Sequence, residues 1–114
     1  MRQDLANNYF REGVVAINEK KYDSATYFLN KSLEMDQNYY DAYLMLSFIG
    51  LMTGNYISSQ SFAEKCLKVN PNSVDCMVAY ADSLQLSKQY PQAIEQYKKI
   101  LEKEPNKKNL VYKD

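Results

Sequence analysis

A chain of 114 residues has room for one domain with a modest core. Fourteen Lys and Arg balance fourteen Asp and Glu, and only Arg2 and Arg11 are arginines, so no net field draws in nucleic acid or an anionic membrane. Histidine is absent, which removes the usual neutral-pH general base and the commonest metal ligand together.

In chain order, the apolar spacing predicts helices over Asp4–Glu19, Tyr22–Met35, Tyr40–Thr53, Tyr56–Val69, Val74–Ser87 and Tyr90–Lys103. The breaks between them carry turn chemistry. Gly54-Asn55 accepts positive φ, and Asn18–Lys21 and Ser87–Gln89 do the same work with less specific residues. Pro91 sits in a first helical turn, where a missing N–H costs nothing. Pro71 and Pro105 follow helix ends, and Asn72 and Ser73 are N-cap candidates for the next helix. Glu64→Lys68 and Glu95→Lys99 are oriented i,i+4 pairs on solvated faces. The start, MRQDLANNYF, lacks the apolar core of a signal peptide, and no apolar run is long enough to span a bilayer.

The six segments are three copies of one pattern. Tyr22, Tyr56 and Tyr90 stand 34 residues apart, as do Ala25, Ser59 and Ala93, and Leu33, Leu67 and Leu101. With the tyrosine as position 17, the units are 6–39, 40–73 and 74–107, with no insertion between them. A fixed period of this size marks a repeat array of stacked helix pairs. Small residues recur at position 8 (Gly13, Ser47, Ala81) and position 20 (Ala25, Ser59, Ala93), one on each helix of a pair, where they let two backbones approach. Leu29, Ala63 and Tyr97, with the leucines one turn on, form the ridge of the second helix. The recurrent tyrosines should pack back onto the first helix of their own unit.

Enzymatic chemistry finds no footing. Glu102 and Glu104 diverge on a helix, no Gly-rich phosphate loop exists, and Cys66 and Cys76 have no histidine to activate them. The two cysteines lack metal-ligand spacing. Both fall at helical positions, so the expectation is two small apolar side chains in packed sites, with a disulfide between them left open. Lys20-Lys21, Lys98-Lys99 and Lys107-Lys108 are scattered among acids, which is no nucleic-acid stripe. No cofactor and no metal are expected.

The register resembles the tetratricopeptide repeat. Position 4 reads Tyr9, Tyr43, Met77 where the family has Trp; position 7 reads Glu12, Leu46, Tyr80; position 32 reads Gln37, Pro71, Pro105. Position 11 departs outright, with Ala16, Gly50 and Leu84 in place of Tyr. The resemblance covers Ala6 to Lys107. It implies an all-α fold: a right-handed α-solenoid of three antiparallel helix pairs, one domain over 1–114, with 108–114 starting a capping or further helix.

The resemblance also implies a concave groove lined by first-helix positions 2, 5, 9, 12 and 13, and a protein partner. The residues it points to are Phe10, Val14, Ile17, Leu44, Phe48, Leu51, Val78 and Asp82, with Phe10, Leu44 and Phe48 as anchors. The family's grip on a partner's C-terminal carboxylates needs Lys, Arg and Asn in that groove. Positions 5 and 9 carry none, and Asp82 has the wrong sign. The groove instead suits an apolar peptide or helix, which makes the chain an interaction module acting as scaffold, adaptor or chaperone-like holder. Phe48→Glu is then expected to abolish binding and leave melting unchanged. The alternatives are that the stripe is ordinary core, or that it joins copies of this chain into a homo-oligomer.

Overall fold

The computed structural model describes residues 1–105. Those residues form six helices and no strand: α1 Arg2–Asn18, α2 Tyr22–Met35, α3 Tyr40–Thr53, α4 Tyr56–Val69, α5 Val74–Leu86 and α6 Tyr90–Lys103. Four of the six match the sequence-predicted spans end to end, while α1 starts two residues earlier at Arg2 and ends at Asn18, and α5 ends at Leu86. The stretch read from the sequence as the start of a capping or further helix, 108–114, lies outside the described residues.

The turn inside each helix pair is built identically. Position 15 holds Lys20, Gly54 and Lys88, with φ of 60°, 82° and 66°. The next amide donates back to the carbonyl of position 11: Lys21 to Ala16, Asn55 to Gly50 and Gln89 to Leu84, each at 2.8 Å. This is a left-handed close that satisfies a carbonyl left over at the helix end. Gly54 adopts it freely, whereas a residue with a Cβ gives up about 1 kcal/mol there. Lys88→Gly is therefore expected to stabilise the chain by no more than about 0.5 kcal/mol in denaturant melts, once the greater freedom of glycine in the unfolded chain is subtracted. Ser73 caps α5, accepting from the Cys76 amide at 3.2 Å, and Pro91 lies in the first turn of α6.

The packing follows the small residues. Gly13, Ser47 and Ala81 are buried, and so are Ala25, Ser59 and Ala93. In the middle unit the notch is polar inside: the Ser47 hydroxyl donates to the Ser59 carbonyl at 2.9 Å and lies 3.0 Å from the Ser59 hydroxyl. Both serines are fully buried; with the Ser47 proton on that carbonyl, the Ser59 hydroxyl donates to Ser47. α3 (YDAYLMLSFIGLMT) is apolar nearly all round because it packs against α1, α2, α4 and α5.

Contacts between units set the layers. The backbones of α1 and α3, and of α3 and α5, run in contact, while those of the second helices α2, α4 and α6 stay apart; across one such gap Gln89, at the N-cap of α6, donates to Gln60 of α4 at 2.8 Å. First helices therefore converge on an inner layer and second helices spread on an outer one. The body is elongated, 41 × 26 × 21 Å.

Three sequence expectations are corrected here. Cys66 and Cys76 are not two separate packed thiols but a disulfide, with Cα atoms 5.8 Å apart. The last turn of α4 and the first turn of α5 meet across a four-residue turn, which brings positions 27 and 3 of successive units together; the bond staples unit two to unit three. The tyrosine at position 17 reaches forward as well as back: the Tyr22 hydroxyl donates to Met52 Sδ of the next unit at 3.7 Å, and Tyr90 is half exposed. The Glu64–Lys68 and Glu95–Lys99 pairs do not close; among the described residues the ion pairs are Lys21–Glu19 and Lys31–Glu34, both at 3.5 Å, and Gln60 donates to Glu64 instead. Exposed pairs gain too little to fix long side chains.

Candidate functional site

The inner layer carries the residues the sequence singled out, and it treats them unequally. Val14, Ile17, Phe48, Leu51 and Val78 are partly buried, each leaving some apolar surface in water. Ile17 leans on the core shared by units one and two, Phe48 on the cluster around Leu44, and Val78 on the cluster around Met77. Phe10 is partly buried and stacks on Tyr39, ring centroids 5.1 Å apart.

Two residues do not serve as expected. Leu44 is 5% exposed and packs with Ala63, Cys66, Cys76 and Ala79. It belongs to the core and cannot anchor a partner, because α3 is enclosed by unit three. Asp82 is engaged within the chain: its Oδ1 lies 2.7 Å from the Tyr97 hydroxyl of α6. The same hydroxyl is 2.7 Å from Gln85 Oε1. One phenol has one proton, which goes to the carboxylate; with its amide turned over, Gln85 donates back to the phenol oxygen. Burial first, then Asp82, pushes the Tyr97 phenol well above its usual range.

The family register puts position 13 in the groove, but its residues are not among those the sequence singles out. Met52 and Leu86, both at position 13, are 50% and 47% exposed. Their repeat register was in view, and exposure is what sets them apart. Phe48 leans on the Leu44 cluster, so Phe48→Glu disturbs the fold as well as the surface, and it does not isolate binding as the sequence reading had it.

The face is acidic at one edge. Asp41 and Asp75 occupy position 2 on α3 and α5, in their first turns. Desolvation raises the Asp41 carboxyl above its ordinary value and the Asp75 charge raises it further, in spite of the helix N-terminus that favours an anion there. At the N-cap of α3, burial and the Asp41 charge raise the Tyr39 phenol, while Arg11 lowers it. No lysine or arginine stands at positions 2, 5, 9, 12 or 13 of any unit. A depression of about 620 Å³ opens elsewhere, between the α2–α3 turn and α4, lined by Gln37, Asn38, Tyr43, Lys65, Lys68 and Val69. Among the described residues no cluster of His, Cys, Asp and Glu has the makings of a metal site, and no helix is long and apolar enough to cross a membrane.

A two-helix unit repeated in register, with small residues at both close approaches, defines a helical repeat protein. The tetratricopeptide repeat profile matches residues 6–39 and 40–73, more than half of the chain, and the chain belongs to the tetratricopeptide repeat family. Its fold is the right-handed α-solenoid of that family, with three antiparallel helix pairs. The TPR domain of Arabidopsis OM64 superposes with a TM-score of 0.89 at 14% identity, covering 95% of this chain and 89% of that one. The N-terminal domain of stress-induced protein-1 from C. elegans gives 0.82 at 17% identity, covering 89% and 85%. The TPR2B domain of yeast Sti1, solved as a complex with pHsp70, gives 0.82 at 14% identity, covering 92% and 86%. No curated protein matches the chain.

Proposed function

We propose that the chain is a protein–protein interaction module that takes an apolar peptide or helix along the inner layer of α1, α3 and α5, and so works as a scaffold, adaptor or holder. One observation carries this reading. The inner helices converge and leave a stripe of partly covered apolar side chains (Val14, Ile17, Phe48, Leu51, Val78) with half-exposed Met52 and Leu86 at its rim, while the outer helices stay apart from that side. Apolar surface gathered on one face gains by being covered. The stripe lacks the cations that hold carboxylates, which speaks against an acidic C-terminus as the occupant. It also holds no nucleophile–base pair, and we assign the chain no catalytic role, no cofactor and no nucleic-acid partner.

The rim gives the cleaner test. Met52→Glu and Leu86→Glu place charges on half-exposed positions, so Leu86→Glu is expected to change stability by less than about 0.5 kcal/mol and Met52→Glu, which also gives up the weak Tyr22 contact, by less than about 1 kcal/mol. Together they are expected to weaken capture of apolar peptides at least about tenfold by fluorescence anisotropy. Unchanged affinity would move the binding surface elsewhere.

A second reading rests on the far end. Tyr90 and Ile94 of α6 are half exposed on the face that units one and two turn toward their successors. Self-assembly through that end predicts a mass that rises with concentration in light scattering. A monomer at high concentration counts against it.

A further inference from the structure

The inner face is apolar along its length and anionic at one edge, in a chain whose net charge is zero. Asp41 and Asp75 sit on neighbouring helices close enough for one charge to disfavour the other, and no cation of α3 or α5 stands beside them, since neither helix contains a lysine or arginine. Asp82, two turns below Asp75 on α5, adds a third carboxylate, already steadied by Tyr97. The cations of the inner helices are Arg2 and Arg11, both on α1; Arg11 acts on Tyr39, the N-cap of α3, which also feels Asp41. An acid in a first helical turn is ordinarily a stabilising feature. Asp41 departs from that: burial and a like charge both work against its ionised form and outweigh the helix N-terminus that favours it.

We infer that the segment bound on the inner face is a basic amphipathic stretch of another protein, its apolar side chains along Phe48, Leu51 and Val78 and a lysine or arginine seated between Asp41 and Asp75. This rests on the inner-face reading above. The cation sits over the N-terminal ends of α3 and α5, which gives the occupant a direction as well as a sign. A guanidinium or ammonium there makes charge-assisted hydrogen bonds to both carboxylates and removes their repulsion.

The test pans one library of short random peptides against the 114-residue chain and, in parallel, against D41N/D75N. Wild type is expected to enrich peptides that combine apolar residues with Lys or Arg. Those peptides are expected to lose about tenfold or more in affinity on D41N/D75N, and to bind wild type more weakly as salt rises. D41N/D75N is expected to melt at or above the wild-type temperature, which separates a binding role from a structural one. Inner-face binders with no basic bias, or basic binders indifferent to D41N/D75N, would overturn the cationic partner and leave the groove standing. Enrichment of nothing on the inner face would overturn both.

Discussion

Reduction of the Cys66–Cys76 bond is expected to cost about 3 kcal/mol of stability, from the chain entropy released when a short closed loop is opened. The bond closes a loop with a sequence separation of 10 and lies wholly inside the protein, both cysteines being fully buried. Its placement decides where the loss falls. It joins α4 of unit two to α5 of unit three, and in a stacked array each unit is held only by its neighbours. Amide exchange in α5 and α6 is therefore expected to quicken on adding dithiothreitol, with α1 and α2 changing little. Before reduction the denatured chain should show no reactive thiol. Two free thiols in unreduced protein would remove the staple from the account.

Gly50→Ala is expected to destabilise by about 2 kcal/mol or more, although alanine is the better helix former by nearly 1 kcal/mol. A Cβ built on Gly50 would lie 2.8 Å from Ser59 Cβ and 2.9 Å from both Asn55 O and Ser59 N. Two of those atoms are backbone and cannot rotate away. Asn55 also donates its amide to the Gly50 carbonyl, so moving the turn breaks the helix close. Gly13 is the control. Its Cβ would meet Leu29 Cγ and Cδ2 at 2.9 Å, atoms of one side chain and not of the backbone. Gly13→Ala should therefore cost clearly less than Gly50→Ala in urea melts. The reverse order would mean that the turn, and not the notch, is the softer part of the repeat.

Much of the fold was legible because one pattern, said three times, corrects its own ambiguities. Position 20 reads as a notch only when Ala25, Ser59 and Ala93 are set side by side, and all three are buried. The helix starts at Tyr22, Tyr56 and Tyr90 could be read for the same reason. What escaped depends on contacts between units or on a single copy. Gly50 looked like a lapse from the family's tyrosine; its reason is the backbone of Asn55 and Ser59, which no spacing reveals. The cysteine pair replaces Ser32 and Ala42 of the first junction, where the Ser32 hydroxyl donates to the Ala6 carbonyl at 2.8 Å, so nothing periodic announced a covalent link. Lysine at position 15 hid a left-handed residue that only Gly54 declared.

The candidate face was legible as a set and not residue by residue. Family register placed it on the first helices, and the inner layer is built from them. Register could not say that α3, enclosed on four sides, would draw Leu44 into the core, nor that Tyr97 would hold Asp82. The second had a trace in the sequence. An acid at position 9 and a tyrosine at position 24 occur in the same unit, where the other two copies have Val14 with Leu29 and Phe48 with Ala63.

Amide and methyl spectra of the labelled chain, recorded with a peptide taken from the panning, test the central claim most directly. Shifts are expected to gather on Val14, Phe48, Leu51, Met52, Val78 and Leu86, with the outer helices α2, α4 and α6 nearly silent. Shifts gathered instead around Lys65 and Lys68, or on Tyr90 and Ile94, would contradict it.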